Sequence, residues 1–230
     1  MPDSEGEHMT GTKTVSLDMI GTTFSLERLG RKLTEHGATA DALPLLFAQT
    51  LRDYFASSYA GSYLPLRDVL RASLHRLFVA NELPLSEDET DGVLATLAEL
   101  DPTPGAGEAL RLLDDAGVRV IALTNGGTAL MEALLERAGF SDLVERIVSC
   151  DDLGISKPHA SVYEAARKVS DGVPWMVASH ARDIMGAAHA GLRTAWISGF
   201  EGEYPTMWPA PDIIAPGLEA AARAIIDHDS

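Results

Sequence analysis

The fold is decided by the stretch VSLDMIGTT, residues 15–23. Val15 and Leu17 indicate a short buried strand, because a strand of a parallel sheet is covered on both faces. Gly21 ends the strand and permits a tight turn or a positive φ. Asp18 then lies at the carboxyl edge of a strand, where open α/β sheets keep their ligand crevice. Such a carboxylate either does chemistry or caps the next helix, and this stretch alone leaves both open.

Length, charge and cysteine usage narrow the class of protein. The 230 residues suffice for one domain with a substantial insertion or for two small domains. The net charge of −16 argues against nucleic acid and against a membrane surface as partners. No apolar run reaches the roughly 20 residues of a membrane-spanning helix, and we expect no signal peptide. Cys150 is the single cysteine, so we expect no internal disulfide and a cytoplasmic location.

Helical periodicity fills the chain between the first strand and about residue 100, with no strand pattern in between. Four helical segments are predicted, over residues 25–33, 41–60, 65–79 and 86–100. We therefore predict a helical cap domain over residues 25–100, inserted after the first strand. Residues 1–12 are polar and are expected to form a disordered tail.

From residue 101 onward, predicted strands and helices alternate. The strands are expected at 118–123, 146–149, 175–178 and 194–197, and the segment 200–216 is expected to be an irregular loop. Alternation of this kind predicts an α/β fold with a doubly wound parallel sheet. The Rossmann-like core would comprise residues 13–24 and 101–230.

Polar residues cluster at the predicted carboxyl ends of these strands, which parallel strands bring to one edge of the sheet. They are Asp18, Thr124, Asn125, Lys157, Ser179, His180 and Asp183. The set combines a carboxylate, hydroxyl and amide groups, a lysine able to fix the charge of the carboxylate, and a second acid to hold the lysine.

In these motifs the chain resembles the haloacid dehalogenase superfamily, and within it the type II (S)-2-haloacid dehalogenases, over about residues 14–200. The pattern Asp-x-Tyr-Gly-Thr-Leu corresponds to DMIGTT at 18–23, and Ser-Asn-Gly to TNG at 124–126. Lys-Pro with a tyrosine six residues after the lysine corresponds to Lys157-Pro158 and Tyr163. Ser-Asn-x-x-Asp corresponds to SHARD at 179–183. Each motif alone is weak, but four in this order are specific.

The resemblance implies that Asp18 is a nucleophile that forms a covalent ester with the substrate carbon, which water then opens. Lys157 would keep Asp18 ionised. Asp183 would pair with Lys157 and position water. The structural alternatives are a solvated lysine and an N-cap for the helix predicted to begin at Asp183.

Substrate contacts follow from the same resemblance. Thr22 and Thr124 would donate hydrogen bonds to the nucleophile or to a substrate carboxylate, and Ser179 is expected beside them. Asn125 would orient the substrate or the leaving group, and Tyr163 would direct its hydroxyl at the site. The alternatives are capping for the threonines, an Asn-Gly turn for Asn125, and core packing for Tyr163.

Positions at which the chain departs from these motifs narrow the range of reactions that it could catalyse. Ile20 stands where phosphatases of this superfamily have a second aspartate, and it cannot protonate a leaving alkoxide. Ser179 and His180 supply no acid where phosphatases help to hold Mg²⁺. We therefore expect no phosphomonoesterase activity, no metal and no other cofactor. His180 replaces the asparagine of the type II branch, where it could bind a carboxylate, act as a base, or simply pack.

The type II branch also cradles the halide with an arginine on the first large inserted helix. That position falls near Phe47 or Gln49 in this chain. Arg52, one turn later, is the candidate substitute, and a surface ion pair is the alternative for it. Ile20 and Phe47 suit a less polar substrate.

The leading prediction is a metal-independent hydrolase of the (S)-2-haloacid dehalogenase type that acts on a small organic acid. One alternative is the same scaffold acting on a non-halogenated substrate, through hydrolysis of a strained nitrogen ring such as azetidine-2-carboxylate or through ring formation in specialised metabolism. Another is a non-catalytic partner subunit. The inserted helices carry aromatic residues on more than one face, which predicts a homodimer unless they only roof the active site. These residues are Tyr54, Phe55, Tyr59 and Tyr63.

Overall fold

The computed structural model describes residues 13–228. This part of the chain contains one six-stranded parallel sheet. The strands are β1 (Thr14–Asp18), β2 (Arg119–Thr124), β3 (Arg146–Ser149), β4 (Trp175–Ala178), β5 (Arg193–Ile197) and β6 (Ile213–Ala215). Their order in the sheet is β3-β2-β1-β4-β5-β6. This arrangement confirms the predicted doubly wound α/β fold.

Ten α-helices accompany the sheet within residues 13–228. They are α1 (Glu27–Glu35), α2 (Ala42–Tyr59), α3 (Leu66–Ala80), α4 (Glu87–Ala95), α5 (Ala106–Asp115), α6 (Thr128–Ala138), α7 (Cys150–Leu153), α8 (Ala160–Lys168), α9 (Ala181–His189) and α10 (Leu218–Asp227). The four inserted helices α1–α4 occupy the predicted cap segment, and a 3₁₀ turn at Thr96–Glu99 follows them. Their separation from the core as a distinct domain stays a prediction, and the predicted tail 1–12 lies outside the described residues.

Side chains of each strand alternate between two helical layers. In β2, Val120 and Ala122 join the apolar cluster that includes α5, α6 and α10. Ile121 and Leu123 point the other way and pack with α8 and α9. Burial on both faces explains why the strands read as near-continuous apolar runs.

The order of the strands places the end of β1 at a crevice. β1 lies between β2 and β4, and the chain runs outward from this point in both directions along the sheet. The crevice of a doubly wound sheet lies outside the carboxyl ends of the strands where the order reverses. Asp18, the last residue of β1, is therefore at that position.

One strand contradicts the prediction. Residues 213–215 form β6, although the whole segment 200–216 was expected to be an irregular loop. β6 has three residues and pairs only with β5, so it is a short edge strand bounded by prolines. Such a strand has too few positions to show alternation. No helix within residues 13–228 combines the length and the apolar character needed to cross a membrane.

Candidate active site

A buried lysine joins two carboxylates at the carboxyl end of β1. Lys157 Nζ donates to Asp18 Oδ1 at 2.5 Å, to Asp183 Oδ2 at 2.9 Å and to the backbone oxygen of Leu123 at 3.1 Å. The three donors of the ammonium group thus have three acceptors. Asp18 is 3% exposed and Lys157 is 1% exposed. The structure therefore brings together the acid–lysine–acid set predicted from the sequence.

The charges of this set support one another. Burial alone would raise the pKa of Asp18, but the charge of Lys157, with contributions from His180 and the Thr22 hydroxyl, holds that pKa below its ordinary value. Burial would lower the pKa of Lys157, whereas Asp18 and Asp183 raise it above its ordinary value. At neutral pH the site therefore holds an ionised Asp18 against a charged Lys157.

Thr22 fixes the second oxygen of the nucleophile candidate. Its hydroxyl donates to Asp18 Oδ2 at 2.6 Å and accepts the backbone N–H of Ser179 at 2.9 Å. Thr23 donates to the backbone oxygen of Asp18 at 2.8 Å. The loops after β1 and β4 are thereby tied together at Asp18. Ser179 contributes its backbone N–H to this arrangement, and its backbone oxygen accepts the indole N–H of Trp196.

His180 lies directly beside Asp18. Its Nε2 is 3.8 Å from Asp18 Oδ2 and 3.3 Å from the backbone oxygen of Ile20. Gly21 has a φ of +88°, and a Cβ built on it would lie 2.7 Å from that same nitrogen. Glycine at this turn is thus required both by the backbone and by the approach of the imidazole.

Glu201 is a site residue that the sequence analysis missed. Its Oε1 is 3.5 Å from His180 Nδ1, and its Oε2 accepts the backbone N–H of Ala181 at the start of α9. Burial opposes the ionisation of Glu201, but these contacts hold its pKa below the ordinary value. Phe47 and Phe200 pack against the imidazole, with ring centroids 5.7 Å and 5.2 Å away. Glu201 lies in an irregular segment, so no spacing or periodicity pointed to it.

The structure shows the surface ion pair that was the alternative for Arg52, and a different arginine lies near the site. Arg52 has a side chain that is 64% exposed and pairs with Asp53 on the surface of α2. It lies off the buried face of that helix, which carries Leu46, Thr50 and Tyr54. Arg182 of α9 is instead near the site, although the motif SHARD treats its position as variable.

The guanidinium of Arg182 lies against two aromatic rings. It is 5.8 Å from the ring centroid of Phe47 and 6.0 Å from that of Phe55, and the side chain is 17% exposed. Its nearest acid is Glu201, at 4.0 Å. Arg182 thus places a positive charge beside Phe47, where the sequence offered none.

Asn125 and Thr124 position the backbone around Lys157. Asn125 Oδ1 accepts the backbone N–H of Lys157 at 3.0 Å, just before the cis Lys157–Pro158 bond. Thr124 Oγ1 accepts the N–H of Gly126 at 3.0 Å. Thr124 therefore shows the capping role that was its structural alternative, and Asn125 is held against Lys157 rather than in an open pocket.

Tyr163 shows the core packing that was its alternative. It is buried in the apolar cluster of α8 and α9, and a Cβ on Gly186 would lie 2.6 Å from its ring. Its hydroxyl has no hydrogen-bond partner among residues 13–228. Close packing of α8 on α9 places this hydroxyl against Gly186, and burial together with the charge of Asp183 raises its pKa, so its role at the site stays a prediction.

The aromatic residues of the inserted helices divide into two groups. The Tyr54 hydroxyl donates to the backbone oxygen of Asn125, and the Tyr63 hydroxyl donates to Asp151 Oδ1 at 2.6 Å. These two side chains therefore hold the inserted segment onto the strand ends, as the roof alternative predicts. Tyr59, by contrast, is 97% exposed.

Comparison with known proteins agrees with this geometry. A family model for haloacid dehalogenase-like hydrolases matches residues 12–191. The chain is 23% identical to haloacetate dehalogenase H-2 of Moraxella sp. (strain B), over 94% of this chain and 99% of that one. It is 25% identical to (S)-2-haloacid dehalogenase 2 of Pseudomonas sp. (strain CBS-3), over 89% and 92%.

A solved structure shows the same fold. L-2-haloacid dehalogenase from Xanthobacter autotrophicus superposes with a TM-score of 0.85 at 21% identity, over 94% of this chain and 99% of that one. The match to the family model extends over more than half of the chain, and it includes Asp18, Lys157 and Asp183. The chain therefore belongs to the haloacid dehalogenase-like hydrolases, and its relatives support a place in the type II (S)-2-haloacid dehalogenase branch.

Proposed function

We propose that this hydrolase dehalogenates an (S)-2-haloacid through a covalent ester on Asp18, without a metal ion. The observation that carries the proposal is the buried ammonium group of Lys157, which bridges Asp18 and Asp183. It supplies the positive charge that a dication supplies in a metal-dependent site, and it repels a second cation. No group of three or more His, Cys, Asp or Glu side chains suited to a metal occurs among residues 13–228.

In the first step an oxygen of the Asp18 carboxylate attacks C2 of the haloacid. The new C–O bond forms as the carbon–halogen bond breaks, and the halide leaves with the bonding electron pair. Arg182 stabilises the departing halide, because its guanidinium lies beside Phe47, the region where the type II branch is expected to place its halide-binding arginine. The charge then comes from α9 rather than from α2.

In the second step water attacks the ester carbonyl carbon of Asp18. His180 takes the proton as a general base at Nε2, 3.8 Å from Asp18 Oδ2, in the tautomer whose ring proton is on Nδ1, toward Glu201. Glu201 on the opposite side of the ring orients the imidazole and stabilises its positive charge. The ester C–O bond to the carboxyl carbon breaks, which releases the 2-hydroxy acid and restores Asp18.

The direct test is chloride release from (S)-2-chloropropionate in the presence of EDTA. We expect one chloride and one lactate per turnover, and a loss of about 10⁴-fold or more in Asp18→Asn. Hydrolysis of p-nitrophenyl phosphate that requires Mg²⁺, without chloride release, would contradict the proposal.

Neither alternative gains support from the relatives. A non-catalytic subunit has no need of a buried acid–lysine–acid set, because removing its three charged groups from water costs free energy. Ring hydrolysis would use the same Asp18, and loss of azetidine-2-carboxylate without halide release would favour it. The homodimer and the cytoplasmic location stay predictions, the first of which light scattering tests.

A further inference from the structure

An apolar cleft of about 430 Å³ opens between α6 and the inserted helices. We propose that it binds an apolar chain on the substrate, so that the preferred substrates are 2-haloacids with about six or more carbon atoms. This inference rests on the proposed function and specifies its substrate class.

The inner end of the cleft adjoins the nucleophile. Ile20, two residues after Asp18, lines the cleft, as does Gly126 at the turn after β2. Phe47 also lines it, and its ring packs on His180. Through Ile20 and Phe47 the cleft thus adjoins the loop after Asp18 and the imidazole beside it. A substrate whose reacting carbon meets Asp18 therefore extends its remaining chain past these two side chains.

The outer end of the cleft is open to solvent between two helical elements. Ala129 and Ala133 of α6 form one lip, and Arg67 of α3 lies on the other. Small side chains at the lip leave the entrance wide. The cleft is therefore an access route as well as a binding surface.

The chemistry of the lining selects for an apolar ligand. Most of the side chains are aliphatic, contributed by α1, α3, α4 and α6, and the charged ones are Arg67 and Asp151, whose Oδ1 accepts the hydroxyl of Tyr63. Thr50 also lines the cleft, and its buried hydroxyl has no hydrogen-bond partner among residues 13–228. A buried hydroxyl without a partner is destabilising, and a polar atom or a water carried with the ligand would satisfy it.

The size of the cleft favours the same conclusion. Its volume lies in the range of about 300–1,000 Å³ that holds ligands much larger than a three-carbon acid. Ile20, which stands where the type II motif has tyrosine, and Phe47, which lies near the position of the branch's arginine, both line the cleft. The two residues therefore belong to the same surface, and both make it less polar.

A chain-length series tests the proposal. Each methylene buried in the cleft should raise kcat/KM about fourfold until the cleft is filled. We expect kcat/KM for (S)-2-chlorohexanoate to exceed that for (S)-2-chloropropionate by about 10-fold or more. Equal or falling kcat/KM along the series, with chloropropionate itself turned over, would overturn the cleft proposal and leave the proposed function standing.

A pair of variants on α6 localises the effect. Ala133→Trp places a large side chain at the lip and should bring the ratio of kcat/KM for hexanoate to propionate substrates down toward 1. Glu132→Trp is the matched control, because Glu132 is exposed on the same helix and does not line the cleft. An unchanged ratio in Ala133→Trp would contradict the assignment.

Binding separates this proposal from the reaction. Octanoate should bind Asp18→Asn at least about 10-fold more tightly than propionate in calorimetry, and Ala133→Trp in that background should remove the difference. Preferential octanoate binding without any dehalogenation would support the cleft and contradict the proposed function. Equal binding of the two acids would overturn the cleft.

Discussion

The two sides of Asp18 are built differently. On the core side, the loops after the strands bring Lys157, Asp183 and Thr22 into a hydrogen-bonded group around the carboxylate. On the side of the inserted helices, Phe47 and Ile20 line an apolar cleft, and Phe47 packs against His180 beside that residue. The charged chemistry is therefore fixed by the topology of the sheet, whereas selectivity depends on side chains from helices and loops that vary independently of it.

The largest effect is expected on the core side, from Lys157→Met. This change leaves Asp18 and Asp183 buried without their counter-charge, which costs about 3–5 kcal/mol in the free energy of unfolding. Turnover should fall below detection, because the pKa of Asp18 rises once Lys157 is lost. Urea unfolding and halide release measure the two effects.

A double variant controls for loss of the fold. Lys157→Met with Asp183→Asn removes one of the two unpaired charges and should recover part of the lost stability without recovering turnover. A Lys157→Met protein with wild-type stability would show that the ion pairs contribute nothing to folding.

The next largest effect is expected from Arg182, with Arg52 as the control. Arg182→Met should lower kcat for chloride release by about 10–150-fold, the range expected when a hydrogen bond to a charged group is lost. The loss should be smaller for a bromoacid, since bromide leaves more easily. Arg52→Met is the control on the exposed side of α2 and should leave kcat unchanged. Equal losses in both variants would remove Arg182 from the site.

Glu201→Gln should slow the second step selectively. The imidazole loses its orienting carboxylate, so ester hydrolysis should slow by about 10-fold or more, within the contribution of a general base. Rapid mixing should then show a burst of one halide per active site before a slow phase, and Glu201→Asp should shorten the slow phase. A slower burst with no accumulated ester would indicate a merely structural role.

The smallest effect is the dependence of stability on acid pH. The folded-state pKa of Asp18 is lowered, so its stabilisation is present above the unfolded-state pKa of about 3.9 and is lost as pH falls through the folded value. Below about pH 4, stability should drop more steeply in the wild type than in Asp18→Asn, by up to about 1.4 kcal/mol per pH unit. Equal slopes in urea titrations would show that Asp18 is not linked to folding.

The core side of this site could be predicted well from the sequence, because it depends on where each strand ends along the chain. A parallel strand must end where its apolar run ends, so Asp18, Lys157 and Asp183 could be placed at one edge before any coordinates. The period of the inserted helices likewise predicted four helices. Both kinds of signal depend only on regular spacing.

The side facing the inserted helices could not be predicted in the same way. Arg52 and Phe47 are five residues apart on α2, and only the packing of the helix decides which of them lies against His180. Glu201 lies in an irregular segment, and Arg182 lies at a motif position read as variable. Tyr163 was assigned by motif, and only the packing of α8 on α9 places its ring and hydroxyl against Gly186.

A single turnover in ¹⁸O-labelled water tests the covalent role of Asp18 most directly. With enzyme in excess over (S)-2-chloropropionate, or over the longer acid if it is preferred, the peptide that contains Asp18 should gain one ¹⁸O while the product hydroxyl carries ordinary oxygen. An unlabelled Asp18 with ¹⁸O in the product hydroxyl would mean that water attacks the substrate carbon itself, and it would contradict the mechanism.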